Sequence, residues 1–108
     1  CHVNYSTEQM RAEGGWEHIM EAINRLSDNH QEHIAVYGSD NHERLTGLHE
    51  TSSMDTFSYG VANRGCSIRI PRSTERRRCG YIEDRRPSSS ADMYLVTSKL
   101  HQTCVGIN

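Results

Sequence analysis

The chain has 108 residues, a formal net charge of −2 and an apolar share of only 34%, and counting its eight glycines in and its five tyrosines out raises that share only to about 37%. An ordinary soluble domain, counted that way, holds about 45–50%, so the supply for a free-standing core is thin and favours a piece that leans on a partner chain or on further sequence. No run of about 18 apolar residues offers a membrane span and no secretory signal opens the chain; Cys1 in place of Met reads as a chain cut from a longer one, with the cytoplasm as the default compartment.

The small net charge hides an asymmetry. Residues 1–63 hold three basic groups against ten acidic ones, and residues 64–86 hold eight arginines against Glu75, Glu83 and Asp84. Lys99 is the only lysine. Arginine's planar fork suits bidentate recognition of carboxylates and phosphates better than a diffuse cationic surface does. No aromatic residues interleave with the arginines, which argues against a nucleic-acid partner.

In chain order, Ser6 or Thr7 is placed to cap a first short helix, with Gln9 three residues after Ser6, before Gly14 and Gly15 interrupt. Trp16, Ile19, Met20, Ile23 and Leu26 then fall on one stripe of a longer helix, opposite Glu17, Glu21, Asn24 and Arg25. A second helical piece runs from about Asp28 through Ile34, Val36 and Tyr37 to a stop at Gly38. His30 and His33 share its face and read as a solvated pair, since no third ligand follows. Residues 44–66 show no sustained period and read as a long loop, a candidate lid or binding segment.

Two short strands follow, one over 67–70 ending at Pro71 and one over 81–85 ending near Pro87, joined by a basic turn over 72–80. A loop through Pro87 and three serines leads to a last helix from Asp92 to Val105, with Met93, Leu95, Val96, Leu100 and Val105 as its apolar positions. The class expected is α+β: an antiparallel β-hairpin bearing the functional groups, packed with helices. The four cysteines show neither a C-x-x-C pair nor zinc spacing and read as reduced thiols.

Alternation in the strands puts Arg69 on one sheet face together with Glu83 and Arg85. If that face is covered, its charges need an anion, a metal or one another; if it is open, they are ordinary surface ion pairs. Periodicity alone leaves those readings level. Without further motifs, the chain would be read as an anion-binding module.

The literal segments add more. CHVNYST at 1–7, RLTGLHETSS at 44–53, GVANRGCSIRIPR at 60–72 and GYIEDRRPSS at 80–89 resemble, in order and spacing, the signature segments of eukaryotic-type glutamine synthetases, with a fungal cast. The resemblance covers nearly all of this chain and only the later part of a family chain, so it implies part of the C-terminal catalytic domain, residues 1–108, without the N-terminal β-grasp domain and the upstream strands. It implies an ATP-dependent ligase that makes glutamine from glutamate and ammonia through a γ-glutamyl phosphate. It also implies two divalent cations, Mg²⁺ or Mn²⁺, and a homo-oligomeric ring, a decamer of two pentamers, whose sites form between neighbouring subunits.

Residue by residue, the resemblance makes His2 and Glu83 metal ligands. Arg44 and Arg85 match groups on the substrate glutamate, Arg64 and Arg69 match arginines on the ATP phosphates, and Asn4 and Ser6 fall where the family contacts nucleotide. Glu50 matches the flap glutamate that helps bind ammonium; with Arg64 and Arg85 it completes the catalytic set. Arg86 lies within the motif, while the run Arg76 to Arg78 reads as a solvated turn. The chain departs from the family pattern at Val3, at Asp92-Met93 where Asp-Pro is usual, and in its arginine-rich turn. A glutamine-synthetase-like protein that has lost catalysis and serves in assembly is the alternative.

Overall fold

Four short strands and five helices are formed among residues 2–37, 56–88 and 91–106, which are the residues described by the computed structural model of the chain. β1 is Val3–Tyr5, α1 Glu8–Arg11, α2 Gly15–Asp28 and α3 His30–Val36; β2 is Tyr59–Val61, β3 Ile68–Ile70, α4 Arg72–Arg77, β4 Ile82–Asp84 and α5 Met93–Val105. The α+β class holds.

Thr7 rather than Ser6 caps α1, its hydroxyl accepting from the Met10 N–H at 3.1 Å; the Ser6 hydroxyl instead accepts from Arg11 at 2.7 Å. Gly14 then turns the chain with φ of 81°, and Gly15 starts α2 so close to α1 that a Cβ there would sit 2.1 Å from the Met10 carbonyl oxygen. Only glycine meets both demands. The α2 stripe buries Ile19, Ile23 and Leu26 with Ala22, while Trp16 and Met20 stay half-buried at its margin. Full burial of each large aliphatic side chain contributes about 1.5–3 kcal/mol.

The sheet order is β1-β4-β3-β2, antiparallel between β1 and β4 and between β4 and β3, parallel between β3 and β2. The expected hairpin is therefore corrected in two ways. β3 and β4 do pair antiparallel, but residues 72–77 between them form α4 rather than a turn, and the pair is the middle of a four-stranded mixed sheet. β2 arises inside the stretch read as a loop because a three-residue strand containing Gly60 leaves too short a pattern to register. The part of that stretch before residue 56 lies outside the described residues.

One sheet face presents Ile68, Ile70 and Ile82 to Met10, to the α2 stripe and to Leu100 and Cys104 of α5, forming the core. On α5, Asp92 caps the N-terminus by accepting from the Tyr94 N–H at 2.9 Å, as its position before the apolar run suggests. Of its expected apolar positions, Val96 and Leu100 are buried, together with Thr103 and Cys104, whereas Met93 and Leu95 are exposed. Pro87 and Ser88 are buried too, not in a solvated loop, because the Ser88 N–H donates to the Tyr37 carbonyl at 2.7 Å.

Candidate active site

The register across the sheet aligns Asn4 with Glu83, Glu83 with Arg69, and Arg69 with Gly60. Because side chains alternate along a strand, these four share the face opposite the isoleucines. None of them belongs to the hydrophobic core. Arg85 continues the alternation beyond β4, and its backbone N–H is fixed by the buried Ser67 carbonyl at 2.9 Å.

Glu83 is the centre of this face. Its Oε1 accepts from Arg85 Nη1 at 2.9 Å, with the two side chains 17% and 11% exposed, and His2 Nδ1 lies 3.6 Å from the same oxygen. The Arg69 Nε is buried and, among the described residues, has no hydrogen-bond partner. A buried donor left without an acceptor costs about 1–3 kcal/mol.

His2 and Glu83 fit a divalent cation as part of a site and no more. An imidazole nitrogen and a carboxylate oxygen suit Mn²⁺ or Mg²⁺, but such ions take about six neighbours, and no group of three or more His, Cys, Asp or Glu side chains that could hold an ion occurs among the described residues.

The other predicted site residues are less gathered. Arg64 is exposed, in the turn between β2 and β3, where the Asn63 side chain accepts from the Gly65 N–H at 2.8 Å. Ser6 is engaged by Arg11 just past β1. Arg44 and Glu50 lie outside the described residues. Arg76, Arg77 and Arg78 are exposed as expected, at the end of α4 rather than in a turn, with the Arg78 guanidinium 4.8 Å from the Trp16 ring centre.

A second polar cluster escaped the sequence. His30 and His33 are buried, not solvated, and with Tyr37, Asp84, Arg86 and Thr103 they form a connected network inside the protein. Arg86 donates twice through its side chain to Asp84, at 2.9 and 2.8 Å, and its Nη1 lies 2.8 Å from His30 Nδ1. Tyr37 donates to Asp84 Oδ2 at 2.7 Å; His33 lies 2.6 Å from the Tyr37 hydroxyl and 2.8 Å from that of Thr103. The available signal was the alternation itself: if Glu83 and Arg85 face the polar side, Asp84 and Arg86 must face the interior.

Charge in this cluster is settled by proximity. Burial alone would raise the Asp84 carboxyl, but the adjoining Arg86 guanidinium and the Tyr37 hydrogen bond hold it below the usual carboxylate range. Burial works against the Arg86 cation as well, and Asp84 more than offsets it, leaving its pKa raised. Burial and the Arg86 charge push His33 down to about 3, so it is a neutral imidazole. Burial, then the Asp84 charge, raises Tyr37 above the ordinary phenol range. No helix among the described residues is long and apolar enough to cross a membrane.

No family model matches the chain. Individual relatives do. It is 61% identical over 103 residues to a chloroplastic/mitochondrial glutamine synthetase of Arabidopsis thaliana, covering 95% of this chain and 24% of that one. With a glutamine synthetase of Kluyveromyces lactis it shares 59% over 106 residues, covering 98% of this chain and 28% of the relative. The Neurospora crassa glutamine synthetase is 58% identical over 105 residues, covering 97% and 29%. The chain is thus a homologue of the glutamine synthetases along nearly its whole length, and it spans about a quarter of theirs.

Proposed function

We propose that residues 1–108 are part of the C-terminal catalytic domain of an enzyme that joins ammonia to glutamate at the expense of ATP. The observation that carries this reading is the buried Nε of Arg69, without a hydrogen-bond partner among the described residues, beside Glu83 on a sheet face that also holds Asn4 and neighbours His2 and Arg85. The identity of about 60% to glutamine synthetases supports the choice of reaction.

In the proposed reaction a carboxylate oxygen of the glutamate side chain attacks the γ-phosphorus of ATP, ADP leaves, and a γ-glutamyl phosphate forms. Ammonia then attacks its carbonyl carbon; phosphate leaves and a proton is lost to give glutamine. Arg69 and Arg64 hold the phosphates, with Asn4 and Ser6 against the nucleotide. Arg85 and Arg44 bind the glutamate carboxylates, and Glu50 receives ammonium. Fixed guanidinium forks stabilise the charge that develops on the transferred phosphoryl group. His2 and Glu83 would hold one of two Mg²⁺ or Mn²⁺ ions, which when bound would neutralise phosphate charge. Arg85 keeps the Glu83 carboxylate in place by its 2.9 Å hydrogen bond.

The remaining metal ligands come from upstream strands of the full-length enzyme, and the site forms between neighbouring subunits of a homo-oligomeric ring, a decamer of two pentamers. The cytoplasm is the proposed compartment, which cell fractionation tests. The reaction itself is tested by supplying the full-length enzyme with glutamate, ammonia, ATP and Mg²⁺: glutamine and phosphate should appear in equal amounts. ATP-independent or absent glutamine formation overturns the reading.

A further inference from the structure

Tyr37 holds the end of β4 and the segment that follows it at three alternate residues. Its hydroxyl donates to Asp84 Oδ2 at 2.7 Å, its ring centre lies 5.1 Å from the Arg86 guanidinium carbon, and its carbonyl accepts from the Ser88 N–H at 2.7 Å. Glu83 and Arg85, the groups on the polar face, alternate with these gripped residues. Tyr37 itself is fully buried at the C-terminal end of α3.

The hydrogen bonds behind it run in one direction. The Asp84 carboxylate has only lone pairs to offer, so Tyr37 must give it the hydroxyl proton. The Tyr37 oxygen is then left to accept, and His33 Nδ1–H is its donor at 2.6 Å. A neutral imidazole carries one N–H, so Nε2 accepts, and the Thr103 hydroxyl donates to it at 2.8 Å. The chain of bonds ties α5 through α3 to β4, with every member buried.

We propose that Tyr37 and His33 are positioning residues of the active site, which act through Asp84 to fix the end of β4 from which Glu83 and Arg85 project. This rests on the function proposed above. Loss of the Tyr37 hydroxyl leaves its ring and carbonyl contacts and the Asp84–Arg86 pair in place but removes the tie from α3 to the Asp84 carboxylate, so that Arg85 spends less of its time in the orientation that binds a carboxylate.

The test is steady-state kinetics of the full-length enzyme carrying Tyr37→Phe, beside Ile23→Val, a core change in α2 outside this chain of bonds. Tyr37→Phe should raise the KM for glutamate about three- to tenfold, the effect of one buried hydrogen bond, while Ile23→Val leaves it unchanged. An unchanged KM in Tyr37→Phe overturns the proposal, and so does an equal rise in Ile23→Val, which would mark a general loss of stability. If Tyr37→Phe does not yield soluble enzyme, Thr103→Val decides in its place: a raised KM supports the relay and an unchanged one overturns it. A wild type that makes no glutamine sinks the functional reading itself, and the positioning role with it; an active wild type confines any failure to the positioning role.

Discussion

Asp84 and Arg86 face each other in a two-point ion pair, Nε to Oδ1 at 2.9 Å and Nη2 to Oδ2 at 2.8 Å, with side chains 1% and 0% exposed. A pair so deeply buried is weak evidence of net stabilisation, since both ions lost their water, but removing one member leaves the other's charge uncompensated. Asp84→Asn should therefore destabilise the surrounding unit by about 3–5 kcal/mol. Hydrogen exchange at the α3 amides of the full-length enzyme would read this as lost protection, and protection within about 1 kcal/mol of wild type would contradict it.

His33 gives the interior a pH dependence. Its pKa falls from 6.5 to about 3 on folding, first because burial disfavours the cation, so the unfolded state takes up the proton more readily. Stability contributed by keeping His33 neutral is complete above pH 6.5 and lost as pH falls from there toward 3, by up to about 1.4 kcal/mol per pH unit. Asp84, whose pKa is also lowered, adds its loss only below the ordinary carboxylate range. Hydrogen exchange at α3, corrected for intrinsic rates, should show protection falling between pH 6.5 and 4 and a shallower fall in His33→Asn. Equal slopes in the two proteins would contradict the assignment.

Gly15 is a backbone requirement rather than a packing one. A methyl group there would meet the Met10 carbonyl oxygen at 2.1 Å and its carbon at 2.7 Å, and no side-chain rotation relieves a clash with backbone. Gly15→Ala should lower the thermal midpoint of the full-length enzyme well beyond the effect of Ala at the exposed Asn24, where the change adds helix propensity. Equal midpoints would show that the α1–α2 corner yields freely.

Much of this was legible from residue spacing. The α2 stripe, the last helix beginning at about Asp92 and the grouping of Arg69 with Glu83 follow from local periods, which need no knowledge of the rest of the chain. What stayed hidden depends on long-range partners. Nothing near His33 in sequence announces Thr103, seventy residues on, and a buried histidine whose partners lie on other elements has the same local pattern as a solvated one. The 72–77 helix was hidden by its composition, since a run rich in arginine between two strands carries no apolar stripe. Among the site residues, His2, Asn4, Arg69, Glu83 and Arg85 come together on or beside one sheet face, whereas Arg64 lies exposed on its turn and Ser6 is occupied by Arg11.

Arg69 offers a test of the phosphate-binding role. Its Nε is buried with no hydrogen-bond partner among the described residues, and a lysine keeps the charge while losing that donor and the planar fork. In the full-length enzyme Arg69→Lys should cost about 1–3 kcal/mol of transition-state stabilisation, a fall in kcat/KM for ATP of about 5- to 150-fold. A Lys variant with wild-type kcat/KM for ATP would remove Arg69 from the phosphates.

On the proposed function, these 108 residues would carry a share of an active site and not the whole of it. His2 and Glu83 would be two donors for an ion that takes about six, and no third His, Cys, Asp or Glu joins them among the described residues. Titration calorimetry of the 108-residue chain with Mn²⁺, alongside a glutamine-forming assay, addresses this most directly. The expected result is no micromolar Mn²⁺ binding and no turnover above background. Micromolar affinity that disappears in His2→Ala, or glutamine formed by the chain alone, would show that it holds a complete site and would contradict the account.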